Sequence, residues 1–155
     1  MLWQELTLGL GSGRQAAQVL LRLSVAVLLG GLVGLQRERA RKPAGLRTHI
    51  LVCLGTSVVV LACSGIGMTL DGQSRVIQGI VTGVGFIGAG SILKLSHEHE
   101  IKGLTTAAGL WMTAAIGIAC GVGAIGIALI SAVLTLIVLV LAKVIEDRVN
   151  ERKQQ

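Results

Sequence analysis

From Leu104 to Ala142 the chain runs 39 residues without a single charged side chain. As one straight helix at ~1.5 Å per residue this segment would be about 58 Å long, nearly twice the ~30 Å of a bilayer's hydrocarbon core. It must therefore cross an apolar slab, turn and cross again. The expected break is Gly121-Val122-Gly123, where glycine admits the backbone angles of a tight turn. Three further apolar runs precede it: Val19–Leu35 (with Arg22 near its edge), Ile50–Gly67 and Val76–Leu93. The expected fold is all-α, a polytopic membrane helix bundle with about five transmembrane helices.

Composition agrees. Only 14% of the residues are charged, against about a quarter in soluble domains, and they fall in clusters between the runs. The 22 glycines would weaken helices in water. In lipid a helix must form regardless, because unpaired backbone groups are too costly there, and glycine then lets two backbones approach. Gly30-x-x-x-Gly34, Gly79-x-x-x-Gly83 and Gly117-x-x-x-Gly121, with Gly88 and Gly90, are read as packing faces. Cys53, Cys63 and Cys120 lie inside apolar runs and read as small packing residues, without zinc or redox spacing.

Charge sets the orientation. If helices alternate, Arg37, Arg39, Arg41, Lys42, Arg47, Lys94, Lys102, Lys143, Arg148, Arg152 and Lys153 lie on one side, and Arg14, Arg22 and Arg75 on the other. Positive residues favour the cytoplasm, which predicts the N-terminus outside and the C-terminus in the cytoplasm. The net charge of +6 is thereby accounted for without nucleic acid. Residues 1–18, with Trp3, Leu6, Leu8 and Leu10, read as an interfacial segment on the periplasmic side without the features of a cleavable signal. Residues 19–144 form the membrane domain, and 145–155 a short cytoplasmic tail continuing the last helix.

Two segments resemble one another. Gly30 to Gly34, a charged loop with Lys42, then Gly45-Leu46-Arg47-Thr48 is matched by Gly88 to Gly90, a charged loop with Lys102, then Gly103-Leu104-Thr105-Thr106. The pattern is a parallel repeat of two hairpins about an axis along the membrane normal, with the fifth helix unpaired.

Candidate chemistry is sparse. No ionisable residue is expected at mid-depth in helices 2 to 5, where pumps and proton relays keep them. Ser24, Thr56, Ser57, Thr82, Ser91, Thr113 and Ser131 are expected to bond their own helix or a neighbour. Glu38 among arginines is either a solvated local ion pair or an acid clamped by Arg47 or Arg37. Asp71 and Arg75 form an i, i+4 pair, with Asp71 or Ser74 a good N-cap. The alternative there is a cation-sensing oxygen. His97-Glu98-His99-Glu100 reads as a solvated loop, because alternate residues share a face only in a strand. No catalytic set, metal set or cofactor motif is expected, and the chain reads as a non-enzyme.

Three long motifs carry a resemblance. Gly30 to Gly34 with Arg37-Glu38-Arg39 and Lys42-Pro-Ala-Gly-Leu-Arg-Thr-His49 is the first. Asp71 to Arg75 followed by Gln78-Gly-Ile-Val-Thr-Gly-Val-Gly-Phe-Ile-Gly-Ala-Gly90 is the second, and Lys102-Gly-Leu-Thr-Thr-Ala-Ala-Gly-Leu-Trp111 the third. Over about Leu21 to Leu141 the chain resembles the MgtC/SapB family. The resemblance implies a bacterial inner-membrane protein tied to growth at low magnesium and, in pathogens, to survival inside host cells. It implies a modulator of other membrane proteins; the alternative is a Mg²⁺ transporter acting as an oligomer. Many members carry a soluble domain after helix 5, which is expected to be missing in a chain ending at Gln155. The cytoplasmic candidate site comprises Arg37, Glu38, Arg39, Lys42, Gly45, Arg47, Thr48, Thr105 and Thr106. With Arg41 of the same loop, five basic residues against one acid, Glu38, suit an anion there, while Asp71 and Arg75 mark a candidate outer site. Expected partners are the lipid bilayer, a second copy or another membrane protein, and an anionic ligand at the cytoplasmic face.

Overall fold

The computed structural model describes residues 12–95 and 100–153, and the side chains of 12–92, 102 and 103–142. Among the described residues five helices follow in order: α1 (Gly13–Arg39), α2 (Leu46–Gly65), α3 (Leu70–Gly90), α4 (Leu104–Val122) and α5 (Ile125–Lys153). A two-stranded antiparallel ribbon, β1 (Leu93–Leu95) with β2 (Glu100–Lys102), joins α3 to α4, with Leu93 opposite Lys102. The ribbon was absent from the sequence expectation, in which this stretch was a plain polar loop. His97, Glu98 and His99 lie outside the described residues.

Among the described residues, four helices are long and apolar enough to cross a membrane: α1, α2, α4 and the Ile125–Ala142 part of α5. The protein is a membrane protein of helical-bundle type. Helix α3 has the length, 21 residues, but Asp71, Gln73, Ser74, Arg75 and Gln78 dilute its first turns. It nevertheless runs antiparallel to α2 along the bundle. It starts beyond Gly65, its Val84 and Ile87 lie against the Arg47–Thr56 part of α2, and a Cβ at Gly88 would lie 3.5 Å from Ala107 of α4.

Helix boundaries follow local chemistry. Helix α1 starts at Gly13, six residues before the predicted apolar run, because Ser12 caps it by accepting from the Gln15 N–H at 3.2 Å. Helix α3 is capped by Thr69, whose Oγ1 accepts from the Gly72 N–H at 3.2 Å. This corrects the expectation of Asp71 or Ser74 as N-cap: both fall inside the helix, where Asp71 complements the dipole of the first turn.

Three helices end in the same doubly bonded turn. After α4, Gly123 N–H donates to Cys120 C=O (3.0 Å) and Ala124 N–H to Ala119 C=O (2.9 Å), with Gly123 at φ 92°. This is the predicted break in the 39-residue run. After α2, Gly67 (φ 71°) bonds Ser64 and Met68 bonds Cys63. After α1, Arg41 (φ 52°) bonds Glu38 and Lys42 bonds Arg37.

Helix α2 is the centre of the bundle. A Cβ at Gly30 of α1 would lie 2.7 Å from Cys53 Cβ, and one at Gly34 2.8 Å from Leu46 Cα. From the other side, a Cβ at Gly117 of α4 would fall on Thr56 Oγ1 and Cys53 C=O, and one at Gly121 2.7 Å from Val60 Cβ. Glycines of α1 thus grip the first half of α2, and glycines of α4 the second. Ala26, Leu29, Val33, Cys53, Ile116, Cys120, Ala128, Ala132 and Leu139 close the apolar core around these contacts.

Candidate functional site

The basic loop and the starts of α2 and α4 come together at one end of the bundle, and the candidate residues divide there into two sets. Arg37 belongs to the interior. It ends the stripe Ala26, Leu29/Gly30, Val33/Gly34, Arg37 on α1, is 2% exposed, and its Nη2 donates to Thr106 Oγ1 of α4 at 3.0 Å. One turn deeper, His49 of α2 is 0% exposed and sits between two glycines. A Cβ at Gly34 would lie 3.0 Å from His49 Cβ, and one at Gly109 3.7 Å from its Nε2. The ring's Nδ1 lies 3.0 Å from Gly45 C=O. Two polar layers, Arg37–Thr106 and Gly34–His49–Gly109, thereby close the junction of α1, α2 and α4. Arg37 Nε and His49 Nε2 are buried without a partner among the described residues, a combination that ordered water commonly satisfies.

Arg39, Arg41, Lys42, Arg47 and Thr105 form the outer set and are exposed. Glu38 stands between the sets. Its Oε2 accepts from Leu46 N–H at 2.9 Å, so it caps α2 across eight residues, while Gly45 at the N-cap position offers no side chain of its own. A Cβ at Gly45 would fall on Glu38 Oε2, so a side chain there would displace the capping carboxylate. The expectation of a Glu38 carboxylate clamped by Arg47 or Arg37 is thus corrected: among the described residues it pairs with neither. Arg47 and Thr48 make no hydrogen bond or ion pair with the described residues. They stand at the mouth of an apolar groove of about 480 Å³ between α2 and α3, lined also by Leu51, Val52, Gly55, Thr56, Val84 and Ile87.

The opposite end differs. Asp71 and Arg75 pair with each other at 3.0 Å, both side chains 77% exposed. Surface pairs of this kind contribute ~0–1 kcal/mol. Arg22, within the first apolar run, donates from Nη1 to Gly121 C=O at 3.1 Å and lies against Gly123, so it satisfies a carbonyl at the C-terminus of α4 and complements that helix's dipole. Gln15, Gln18, Arg22, Leu61, Ser64 and Gly65 border a polar recess of about 310 Å³. Among the described residues no three His, Cys, Asp or Glu side chains gather as a metal site.

At depth, the single hydroxyl proton of Thr56 has three carbonyl acceptors in reach, Val52 (3.0 Å) and Cys53 (3.1 Å) on its own helix and Ala114 (3.2 Å) across the interface. Thr82, Ser91 and Thr113 bond their own helices, as expected, while Ser57 Oγ is buried without a partner among the described residues. Of the predicted packing glycines, Gly30, Gly34, Gly117 and Gly121 make close contacts and Gly88 an ordinary one, whereas Gly79, Gly83 and Gly90 meet nothing of the described chain within 4 Å. His49 and Arg22 escaped the list of candidates. The signal for His49 was its place at the head of the stripe His49, Cys53, Thr56/Ser57, Val60, Cys63.

The model of the MgtC family matches residues 23–148. This chain belongs to the MgtC family. Relatives include "Putative magnesium transporter YhiD" of Escherichia coli K12, 40% identical over 133 residues, covering 79% of this chain and 60% of the relative. Protein SrpB of Synechococcus elongatus is 40% identical over 129 residues, covering 76% and 71%. Protein MgtC of Salmonella typhimurium is 38% identical over 132 residues, covering 85% and 55%. The chain thus spans little more than half the length of the YhiD and MgtC relatives. No solved structure matches it.

Proposed function

We propose that this MgtC-family chain is a non-enzymatic modulator of other membrane proteins, linked to magnesium homeostasis and growth at low magnesium. The observation that carries this reading is the buried Arg37. A cation moving between α1, α2 and α4 would have to pass a guanidinium bonded to Thr106, behind which Gly30, Gly34, Gly117 and Gly121 draw the backbones together. A fixed positive charge in a low-dielectric passage repels a divalent cation strongly. Partners have a surface to meet: Gly79, Gly83 and Gly90 of α3 are open, and Phe86 is 84% exposed. That face suits close helix packing by a second copy or another membrane protein. The outer basic set, Arg39, Arg41, Lys42 and Arg47, suits an anionic ligand.

The name of the YhiD relative favours the alternative, a Mg²⁺ transporter working as an oligomer with its path between subunits. Labelled Mg²⁺ flux into liposomes containing only this protein separates the two. The modulator reading expects uptake equal to protein-free liposomes, and protein-dependent uptake overturns it. The inner-membrane placement, with the N-terminus outside and basic end in the cytoplasm, rests on the charge asymmetry. A reporter active only in the periplasm, fused after Gln155, is expected to be silent; strong activity reverses the orientation.

A further inference from the structure

We infer that the groove between α2 and α3 is a binding site for an anionic glycerophospholipid, its phosphate at Arg47 and Thr48 and one acyl chain between the helices. This rests on the reading above that the basic end takes an anion, and it names which one.

The groove has two chemically distinct parts. It is lined by Leu51, Val52, Val84 and Ile87 and by Gly55, an exposed position where a Cβ would meet nothing within 4 Å. Its volume of about 480 Å³ falls in the ~300–1,000 Å³ range of small-molecule sites. Thr56, the one polar residue at the deep end, has its hydroxyl occupied by backbone carbonyls, so the deep part asks for no polar group. The mouth is the reverse: an exposed guanidinium and a half-buried hydroxyl, both without partners among the described residues. Arg47 follows the Glu38-capped Leu46 directly, so the first turn of α2 holds it at the membrane boundary. Arginine matches phosphate geometry through paired donors. Arg39, Arg41 and Lys42 are exposed at the same end, and basic residues beside a membrane attract anionic lipid.

Depth decides between a lipid and a protein helix. From Arg47 to Gly55 the groove extends about 12 Å at ~1.5 Å per residue, close to one leaflet, half of the ~30 Å core. A transmembrane helix of a second copy would need a seam through both leaflets. An acyl chain anchored at Arg47 needs only the two turns of α2 that line the groove.

The test is native mass spectrometry of the delipidated full chain in detergent with added dioleoyl phosphatidylglycerol or dioleoyl phosphatidylcholine. Wild type is expected to retain phosphatidylglycerol several-fold more than phosphatidylcholine. Arg47→Gln is expected to bring that ratio near one while still taking up lipid. Gly55→Leu, which adds bulk to the groove at a position whose Cβ meets nothing within 4 Å, is expected to lose adducts of both lipids with its helical circular dichroism unchanged. Equal retention of the two lipids by wild type overturns the inference, as does a wild-type pattern in both variants. Titration with glycerol 3-phosphate separates the two failures. If that soluble anion binds in an Arg47-dependent way while wild type shows no lipid preference, the lipid site is wrong and the anion reading stands. If neither is seen, both are wrong.

Discussion

The hairpins α1–α2 and α3–α4 are written in nearly the same words and packed in opposite ways. Each has a glycine-marked helix, a charged connection and a second helix opening on Gly-Leu. In the first, Gly30 and Gly34 bring the backbones so close that no Cβ fits, and Glu38 reaches across the connection to cap α2. In the second, Gly88 makes only an ordinary contact, and Gly103, at φ 99°, opens α4 with no side-chain cap. The tight partner of α4 is instead α2, through Gly117 and Gly121. Glycine spacing therefore announces a face able to pack closely, while which neighbour uses it depends on helix placement. The first hairpin spends its glycines inside the fold, and the second leaves Gly79, Gly83 and Gly90 to whatever lies outside it.

Substitutions at these glycines should show the largest contrast. Gly34→Leu and Gly117→Leu drive a side chain into backbone and are expected to yield no monodisperse folded protein. The milder Gly34→Ala is expected to cost about 1–3 kcal/mol, the usual range for overpacking. Gly83→Leu meets open space and is expected to leave thermal stability in detergent unchanged while weakening self-association or partner binding. Loss of the fold in Gly83→Leu, or full assembly and function with that variant, would each remove the distinction between the two glycine sets.

The two arginines that flank the first connection should separate next. Arg37 is buried and bonded to Thr106, so Arg37→Gln is expected to destabilise the fold. Thr106→Val, which strips the acceptor from a buried donor, is expected to cost about 1–3 kcal/mol. Arg47→Gln removes an exposed, unpartnered group and is expected to leave stability untouched while impairing growth at low magnesium. Wild-type growth of the Arg47→Gln strain would count against a specific anion site at this end.

The sequence showed much of this and hid the rest for identifiable reasons. Long apolar runs spaced by charge located the helices, and 39 uncharged residues with one glycine pair located the α4–α5 turn, because membrane thickness limits span length. Arg37 was grouped with the loop because it is charged, although its spacing from Gly30 and Gly34 already placed it on the buried stripe. His49 was hidden by its nearness to that loop, and its room is made by Gly34 and Gly109 on two other helices, a juxtaposition no local window contains. Glu38 read as an ion-pair partner because its neighbours are arginines. Its actual acceptor role depends on where the chain re-enters the bundle at Leu46.

Capping should give a smaller difference. Glu38→Ala leaves the α2 start with one more unpaired N–H and is expected to cost about 0.5–2 kcal/mol, while Glu38→Gln, which keeps an acceptor oxygen, should cost much less. If instead Glu38→Gln abolished direct Mg²⁺ binding by the purified protein, the carboxylate charge would be holding a cation and the transporter reading would gain.

The smallest effect concerns Arg41. The helices α1, α2 and α4 end in the same turn, and two of them place glycine at the left-handed position, Gly67 at φ 71° and Gly123 at φ 92°. The first places Arg41 there, at φ 52°. A non-glycine residue in that conformation costs roughly 1–2 kcal/mol, whereas glycine returns about 0.4–1 kcal/mol to the unfolded chain as entropy. The difference predicts that Arg41→Gly stabilises the protein by about 0.5–1 kcal/mol. Removing a positive charge from a crowded basic loop would act in the same direction, so Arg41→Gln, which loses the charge and keeps the strained backbone, is the necessary control. Arg41→Gly should exceed Arg41→Gln in reversible unfolding from mixed micelles, and Gly67→Ala, where a Cβ meets nothing within 4 Å, should shift the other way. Equal values for Arg41→Gly and Arg41→Gln would mean that charge, not backbone conformation, sets the stability of this turn. The first hairpin would then hold its connection as easily as α4 holds Gly123.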